Sequence, residues 1–198
     1  GDGGGTFNIS TTTAFVVAGA GVTVAKHGNR SVSSQCGSAD VLEALGMNLA
    51  LEPEIVEEAI NTIGIGFMFA PLYHGAMKYA MPARKQLGIR SIFNMLGPLT
   101  NPAAATSQLL GVFAPELTEM FANALQKLGT RRAFVVHGHD GLDEMTTTDA
   151  TTVIDIDHGE VRRGELRPED VGLTRVGVDD IAVGDPSQNA AMAQSVLA

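Results

Sequence analysis

The sequence predicts an α/β fold: a central, mostly parallel mixed sheet flanked by helices. Three observations carry this expectation. Segments with apolar residues three and four apart alternate along the chain with short β-branched apolar runs, the order expected where helices connect parallel strands. Of the 198 residues, 44% are hydrophobic and 18% charged, enough for a sizeable core, and the whole chain, 1–198, reads as one α/β domain. No internal repeat interrupts the alternation.

Ser10 is placed to cap a first helix that carries Ala14, Phe15, Val17 and Ala18 and ends at Gly19. Residues 22–25 are a β-branched run and predict a buried strand, followed by a polar loop over 26–37. Ser38 then caps a helix over 39–45, with Gly46 as its stop. The helical period returns over 53–63 and again over 70–87, where Pro82 should kink or divide the helix. Pro115 opens a helix with Leu117, Met120, Phe121, Ala124, Leu125 and Leu128 spaced three and four apart, ended by Gly129. Residues 133–136 predict a buried strand, and 153–156 with 160–163 predict a hairpin across Asp157-His158-Gly159. Asp185-Pro186-Ser187 opens a last helix.

Thirteen Lys and Arg against 22 Asp and Glu leave a net charge of −9. No basic stripe remains to neutralise a phosphate backbone, which argues against a nucleic-acid partner, although a local pocket can still hold a phosphorylated small molecule. The one cysteine, Cys36, has no internal disulfide partner, and no apolar run reaches the roughly 18 residues that span a bilayer. Both points suit a cytoplasmic protein with no membrane partner. The glycine-rich start without an initiator methionine and the uncapped end at Leu197-Ala198 read as those of a fragment.

In α/β sheets, ligands bind at the carboxyl ends of strands, in loops that lead into helix N-termini. Two loops here have the chemistry for an anion. The first runs Gly1-Asp2-Gly3-Gly4-Gly5-Thr6-Phe7-Asn8-Ile9-Ser10-Thr11 into a helix. Glycines let backbone amides approach closely, free N–H groups at a helix start favour negative charge, and Asn8, Ser10 and Thr11 add side-chain hydrogen bonds. The second, Lys26-His27-Gly28-Asn29-Arg30-Ser31-Val32-Ser33-Ser34-Gln35-Cys36-Gly37-Ser38, sets two permanent cations, four serines and two glycines before another helix. That combination suits a polyphosphate.

The strings Lys-His-Gly-Asn-Arg at 26–30 and Gly-Ser-Ala-Asp-Val-Leu-Glu-Ala-Leu-Gly at 37–46 resemble the signature of the anthranilate phosphoribosyltransferase family. The resemblance continues through Phe69-Ala70-Pro71, His74, Ala76-Met77, Arg84, Leu87-Gly88 and the run Phe93-Asn94-Met95-Leu96-Gly97-Pro98-Leu99-Thr100-Asn101-Pro102-Ala103. Gly141-Leu142-Asp143-Glu144 matches the family's metal motif. Gln35-Cys36 and Gly75 stand where the family commonly has Lys-Ser and Pro.

The resemblance implies an α/β domain whose family companions, a small N-terminal helical domain and the last helices, are absent from this chain. It implies transfer of the phosphoribosyl group of phosphoribosyl pyrophosphate to the amine of anthranilate, with Mg²⁺ as cofactor, in tryptophan biosynthesis by a homodimer at full length. By match of position, Gly1, Asp2, Thr6, Asn8, Ser10, Thr11, Lys26, His27, Gly28, Asn29, Arg30, Ser31, Val32, Ser33, Ser34 and Ser38 would hold the phosphosugar. Asn29, His74 and Arg84 would hold anthranilate, and Ser10, Asp143 and Glu144 would serve the metal. Lys26, His27, Asn29 and Arg84 are the expected catalytic residues.

These residue types suit the reaction. Displacing pyrophosphate from the ribose leaves negative charge on the leaving group, which Mg²⁺, Lys26 and backbone amides can stabilise. Two carboxylates, Asp143 and Glu144, suffice for Mg²⁺, which keeps several waters. Arg84 can grip a carboxylate with both arms of its guanidinium. The amine is neutral at pH 7, so no strong base is required; His27 or His74 can accept a proton late, and each also reads as a packing residue. Cys36 reads as a small loop residue, and His139, His158, Asp155 and Asp157 as solvent-facing. Two other readings fit the same residues: a related pyrimidine nucleoside phosphorylase-like enzyme, and a non-catalytic phosphosugar-binding module.

Overall fold

The computed structural model describes residues 5–31, 36–87 and 92–198, with the backbone alone at positions 81, 84, 85 and 87. In chain order its elements are α1 (Ile9–Gly19), β1 (Val24–Gly28), α2 (Ser38–Ala44), α3 (Pro53–Ile63), β2 (Ile65–Phe69), α4 (Ala70–Tyr73), α5 (Met77–Leu87), α6 (Ile92–Leu96), a 3₁₀ turn (Gly97–Leu99), β3 (Ser107–Gly111), α7 (Leu117–Lys127), β4 (Arg132–Gly138), β5 (Thr151–Asp157), β6 (Glu160–Leu166), two further 3₁₀ turns (Pro168–Val171 and Val178–Asp180) and α8 (Pro186–Leu197). These form two units: Phe7–Ala104 with Val183–Ala198, and Gly1–Thr6 with Ala105–Ala182. The expected α/β class, with parallel and mixed sheets flanked by helices, is what the chain adopts.

In the first unit β1 and β2 pair in parallel from Val24 opposite Ile65 to Gly28 opposite Phe69. The core gathers Ala39, Leu42, Leu49 and Phe67, with Phe15, Leu45, Met47 and Phe69 packed on it. α3 begins with Pro53, whose missing N–H costs nothing in a first turn, and lies on β2. α8 packs against α1 and α2, and its cap is the expected one, Asp185 accepting the Gln188 N–H at 2.9 Å.

In the second unit the sheet order is β3-β4-β5-β6. β3 and β4 are parallel, joined by α7, and the β4–β5 and β5–β6 pairs are antiparallel. α7 covers β4 and β5 with Phe121, Ala122 and Leu125, all nearly fully buried. Burying side chains the size of Phe and Leu contributes roughly 1.5–3 kcal/mol each. The predicted hairpin turns on His158 and Gly159, at φ 50° and 91°. Both central residues at positive φ give the turn whose twist matches its strands. β6 is exposed from Glu160 to Glu165, and its charges pair: Arg162 with Glu160 at 2.7 Å, Arg163 with Glu119, and Arg167 beyond its end with Glu165 at 2.7 Å.

Several elements differ from expectation for identifiable reasons. α1 starts at Ile9, so Asn8 holds the cap position and Ser10 lies in the first turn. β1 runs two residues later at its start and three later at its end than the apolar run, because pairing with β2 carries the polar Lys26 and His27 into the ladder. The helical stretch over 70–87 divides at His74, whose backbone leaves the helical region (φ −116°, ψ 59°), whereas Pro82 sits inside α5. α7 starts at Leu117, two residues after Pro115, and Met120 and Leu128 of its expected apolar face are exposed. Asp155 is half-buried rather than solvent-facing, and its Oδ1 has no hydrogen-bond partner among the described residues. His139 and His158 are exposed as expected. Among the described residues no helix is long and apolar enough to cross a membrane.

Candidate active site

β1 and the segments that follow β1 and β2 carry Lys26, His27, Asn29, Arg30 and His74 of the residues singled out in the sequence. Successive strand residues point to opposite faces, so Lys26 and His27 diverge. Lys26 Nζ donates to Ser10 Oγ at 3.2 Å, which brings the two anion loops together at one point. On the other face the His27 and His74 rings meet edge to face, with Nε2 atoms 3.1 Å apart and centroids at 4.9 Å. Burial and the neighbouring His74 push the His27 pKa below its ordinary value, while a hydrogen bond to the Gly97 backbone works against them. One of the two Nε2 atoms donates to the other, which of them depending on the tautomer, and His27 also bonds the Gly97 backbone.

β1 ends at Gly28, where the strand passes too close to its neighbours for a side chain. A Cβ there would overlap Ser38 Oγ and come within 2.9 Å of the Phe67 ring. Ser38 Oγ and the Ala39 N–H both donate to the Asn29 carbonyl, at 3.3 Å each, tying the loop to the start of α2.

Arg30 and Ser31 are organised by α2. The Arg30 guanidinium donates to Glu43 through both arms, at 2.8 and 2.9 Å, and to Asp40 Oδ1 at 2.9 Å. Asp40 Oδ2 accepts the N–H groups of Ser31 at 3.1 Å and Gly37 at 2.9 Å. Burial pushes the Asp40 carboxyl up, but donation from Gly37, Ser31 and Arg30 outweighs it and leaves its pKa below the ordinary value. Arg30, expected among the residues that hold the phosphosugar, is paired with α2 carboxylates, and Asp40 and Glu43, not anticipated from sequence, anchor it. Burial pushes the Cys36 thiol up to about 11, so it remains protonated at neutral pH.

Asn8 and Thr11 also turn inward. Thr11 is fully buried and donates its hydroxyl to Asn8 Oδ1 at 2.8 Å. Asn8 Nδ2 donates to the Cys36 carbonyl at 3.2 Å, and its backbone N–H to Asn189 Oδ1 at 2.8 Å. Both residues were expected at phosphate oxygens, and the bonds their side chains make here brace the loops. Asn101, likewise not anticipated, donates Nδ2 to the Ala25 carbonyl at 3.1 Å.

The carboxylate pair belongs to the second unit, in the loop between β4 and β5. Asp140 orders that loop: its Oδ1 accepts the Leu142 N–H at 3.1 Å and its Oδ2 the hydroxyls of Thr146 and Thr148. The Asp143 backbone lies against Gly111 of β3, where a Cβ would overlap the Asp143 carbonyl oxygen. Adjacent carboxylates on a braced loop offer the hard oxygen donors that Mg²⁺ takes. Among the described residues no group of three or more His, Cys, Asp and Glu is arranged for a metal. Thr6 lies in the same unit, bridged to Ala182.

Gly1, Asp2, Val32, Ser33 and Ser34 lie outside the described residues, as does the Arg84 side chain.

The family described as "Glycosyl transferase family, a/b domain" matches residues 1–198. The chain belongs to this glycosyl transferase family. Its similarity to individual family members is high. The chain is 65% identical over 197 residues to an anthranilate phosphoribosyltransferase of Desulfosudis oleivorans, covering 100% of this chain and 58% of that protein. The crystal structure of anthranilate phosphoribosyltransferase from Thermus thermophilus superposes with a TM-score of 0.92 at 49% identity, over 100% of this chain and 58% of the other. The anthranilate phosphoribosyltransferase of Saccharomyces cerevisiae, in complex with PRPP and Mg, superposes with a TM-score of 0.90 at 32% identity, over 99% of this chain and 54% of the other. The chain thus spans little more than half the length of these relatives.

Proposed function

We propose that this chain is the phosphosugar-binding α/β portion of an anthranilate phosphoribosyltransferase, a cytoplasmic enzyme and a homodimer at full length. The Lys26–Ser10 contact carries the reading, because it joins β1, which leads into the second anion loop, to the first turn of α1, which follows the first. The chain's identity to proteins named for this activity and its likeness to one solved with PRPP and Mg support it.

In this reading the two glycine-containing loops hold phosphoribosyl pyrophosphate, and Lys26 offsets the charge that grows on departing pyrophosphate. Asp143 and Glu144 would supply carboxylate oxygens to Mg²⁺, which when bound would neutralise phosphate charge. Asn29, His74 and Arg84 take anthranilate, the guanidinium gripping its carboxylate with two parallel N–H groups. The His27–His74 pair lies beside this site, and burial and His74 hold the His27 pKa below its ordinary value, so a neutral imidazole is present to accept a proton released after the C–N bond forms. Asn8, Thr11, Arg30 and Asp40 hold the loops in shape.

The test is incubation of the chain with anthranilate, phosphoribosyl pyrophosphate and Mg²⁺, following loss of anthranilate and release of pyrophosphate. The expected outcome is that both require all three components. Phosphorolysis of a pyrimidine nucleoside in their place would overturn the assignment. Binding of the phosphosugar without turnover would assign part of the anthranilate site to the length this chain does not span.

A further inference from the structure

Asn189, in the first turns of α8, is 1% exposed, and every polar group of its side chain is engaged. Its Nδ2 donates to the Asp185 carbonyl at 3.0 Å and the Gly184 carbonyl at 3.4 Å. Its Oδ1 looks the other way and accepts the backbone N–H of Asn8, 181 positions earlier, at 2.8 Å. Asn8 passes the constraint on in two directions. Its Oδ1 receives the Thr11 hydroxyl at 2.8 Å, fixing the entry to α1, and its Nδ2 reaches the Cys36 carbonyl at 3.2 Å, where the second loop closes.

We propose that Asn189 is a positioning residue for the phosphosugar site: one buried amide on α8 sets both anion loops through Asn8. This rests on the phosphosugar reading above. The hydrogen-bond pattern supports a specific device. An amide that donates to the turn preceding its own helix and accepts from a distant loop can satisfy both only in one orientation, so the loop position is coupled to the α8 cap. The Asn8 N–H is half-buried and its partner Asn189 is fully buried, so removing the amide leaves this donor without the acceptor that fixes it, and the loops lose their common anchor. Displacements of that kind, of the order of an ångström, cost affinity and rate out of proportion to their size.

The test compares Asn189→Leu, which fills a similar volume without the amide, with Ala193→Gly, which loosens the same helix at a buried position away from Asn8. Phosphoribosyl pyrophosphate with Mg²⁺ is titrated by calorimetry well below each variant's unfolding temperature, and amide hydrogen exchange of Asn8 is followed by NMR. Expected for Asn189→Leu are an affinity loss of about tenfold or more and loss of Asn8 amide protection; Ala193→Gly stays within about threefold of wild type. Equal losses in the two variants, or unchanged affinity in Asn189→Leu, would overturn the proposal. If wild type itself fails to bind the phosphosugar, the functional reading falls, and the Asn8 exchange result still decides whether Asn189 sets the loop. Should Asn189→Leu not fold, Asn189→Ser, whose hydroxyl stops short of Asn8, carries the same comparison.

Discussion

His27 and His74, 47 positions apart, meet through their Nε2 atoms at 3.1 Å. Burial, and then the neighbouring His74 ring, make a charge on His27 unfavourable. The contact between the ends of β1 and α4 is therefore weakened when His27 is protonated.

This gives stability a pH dependence of defined sign. In the unfolded chain His27 titrates near its ordinary value of 6.5, whereas in the fold its pKa is depressed. Below that value the unfolded chain binds more protons, so the contribution is fully present above pH 6.5 and is lost as pH falls towards the depressed pKa. The unfolding temperature should fall between pH 7 and 5, and less steeply in His27→Gln. Parallel curves for wild type and variant would remove His27 as the cause.

Lys26→Ala should weaken phosphoribosyl pyrophosphate binding by roughly tenfold to a hundredfold, the effect of removing one charge-assisted hydrogen bond of about 1.5–3 kcal/mol. The reading is an affinity from titration calorimetry in the presence of Mg²⁺. Equal affinities would mean that the Ser10 contact is a surface pairing without a role in binding.

Replacing Asp143 by Asn and Glu144 by Gln together should abolish Mg²⁺ stimulation of phosphosugar binding. Asp140 still bonds the Leu142 N–H and the Thr146 and Thr148 hydroxyls in that variant, so the chain should remain folded at the assay temperature. A large drop in the unfolding temperature with the Mg²⁺ response retained would make the pair structural.

Gly28→Ala should destabilise the fold by about 1–3 kcal/mol, the range for overpacking a filled site. The new methyl would meet Ser38 Oγ and the Phe67 ring. Ser38→Ala in the same chain should recover part of the loss, and Phe67 should keep it from recovering all. Thermal unfolding of the three variants reads this directly, and a neutral Gly28→Ala would show that the end of β1 can shift without cost.

The helices of strong period were legible in the sequence: α3 and α8 carry start signals of their own, Pro53 and Asp185-Pro186. So was the hairpin, because His158-Gly159 can adopt the left-handed conformations its turn demands. β2 was not, since its apolar residues run on from α3 and Gly64 with no change of composition to mark the boundary. Lys26 and His27 read as loop because a polar pair has no strand signal; only pairing with Phe67 and Met68 makes them strand. In the candidate site, the loops with anion-binding chemistry stood out in the sequence and the residues that brace them did not. Asp40 accepts from Ser31 and Gly37 and Asn189 from Asn8, relationships that exist only once α2 and α8 are in place.

β6 ends the order of its sheet and presents a row of charges, Glu160, Arg162, Arg163 and Glu165, along a strand exposed over the same span. An unpaired strand edge is a template on which a second chain can add its own strand, and alternating charges penalise any such newcomer. The ion pairs to Glu160 and Glu119 contribute little to folding at the surface, so their worth lies in keeping copies apart. A chain with valine at positions 162 and 163 would keep its native stability when dilute and lose it to strand-on-strand aggregation when concentrated.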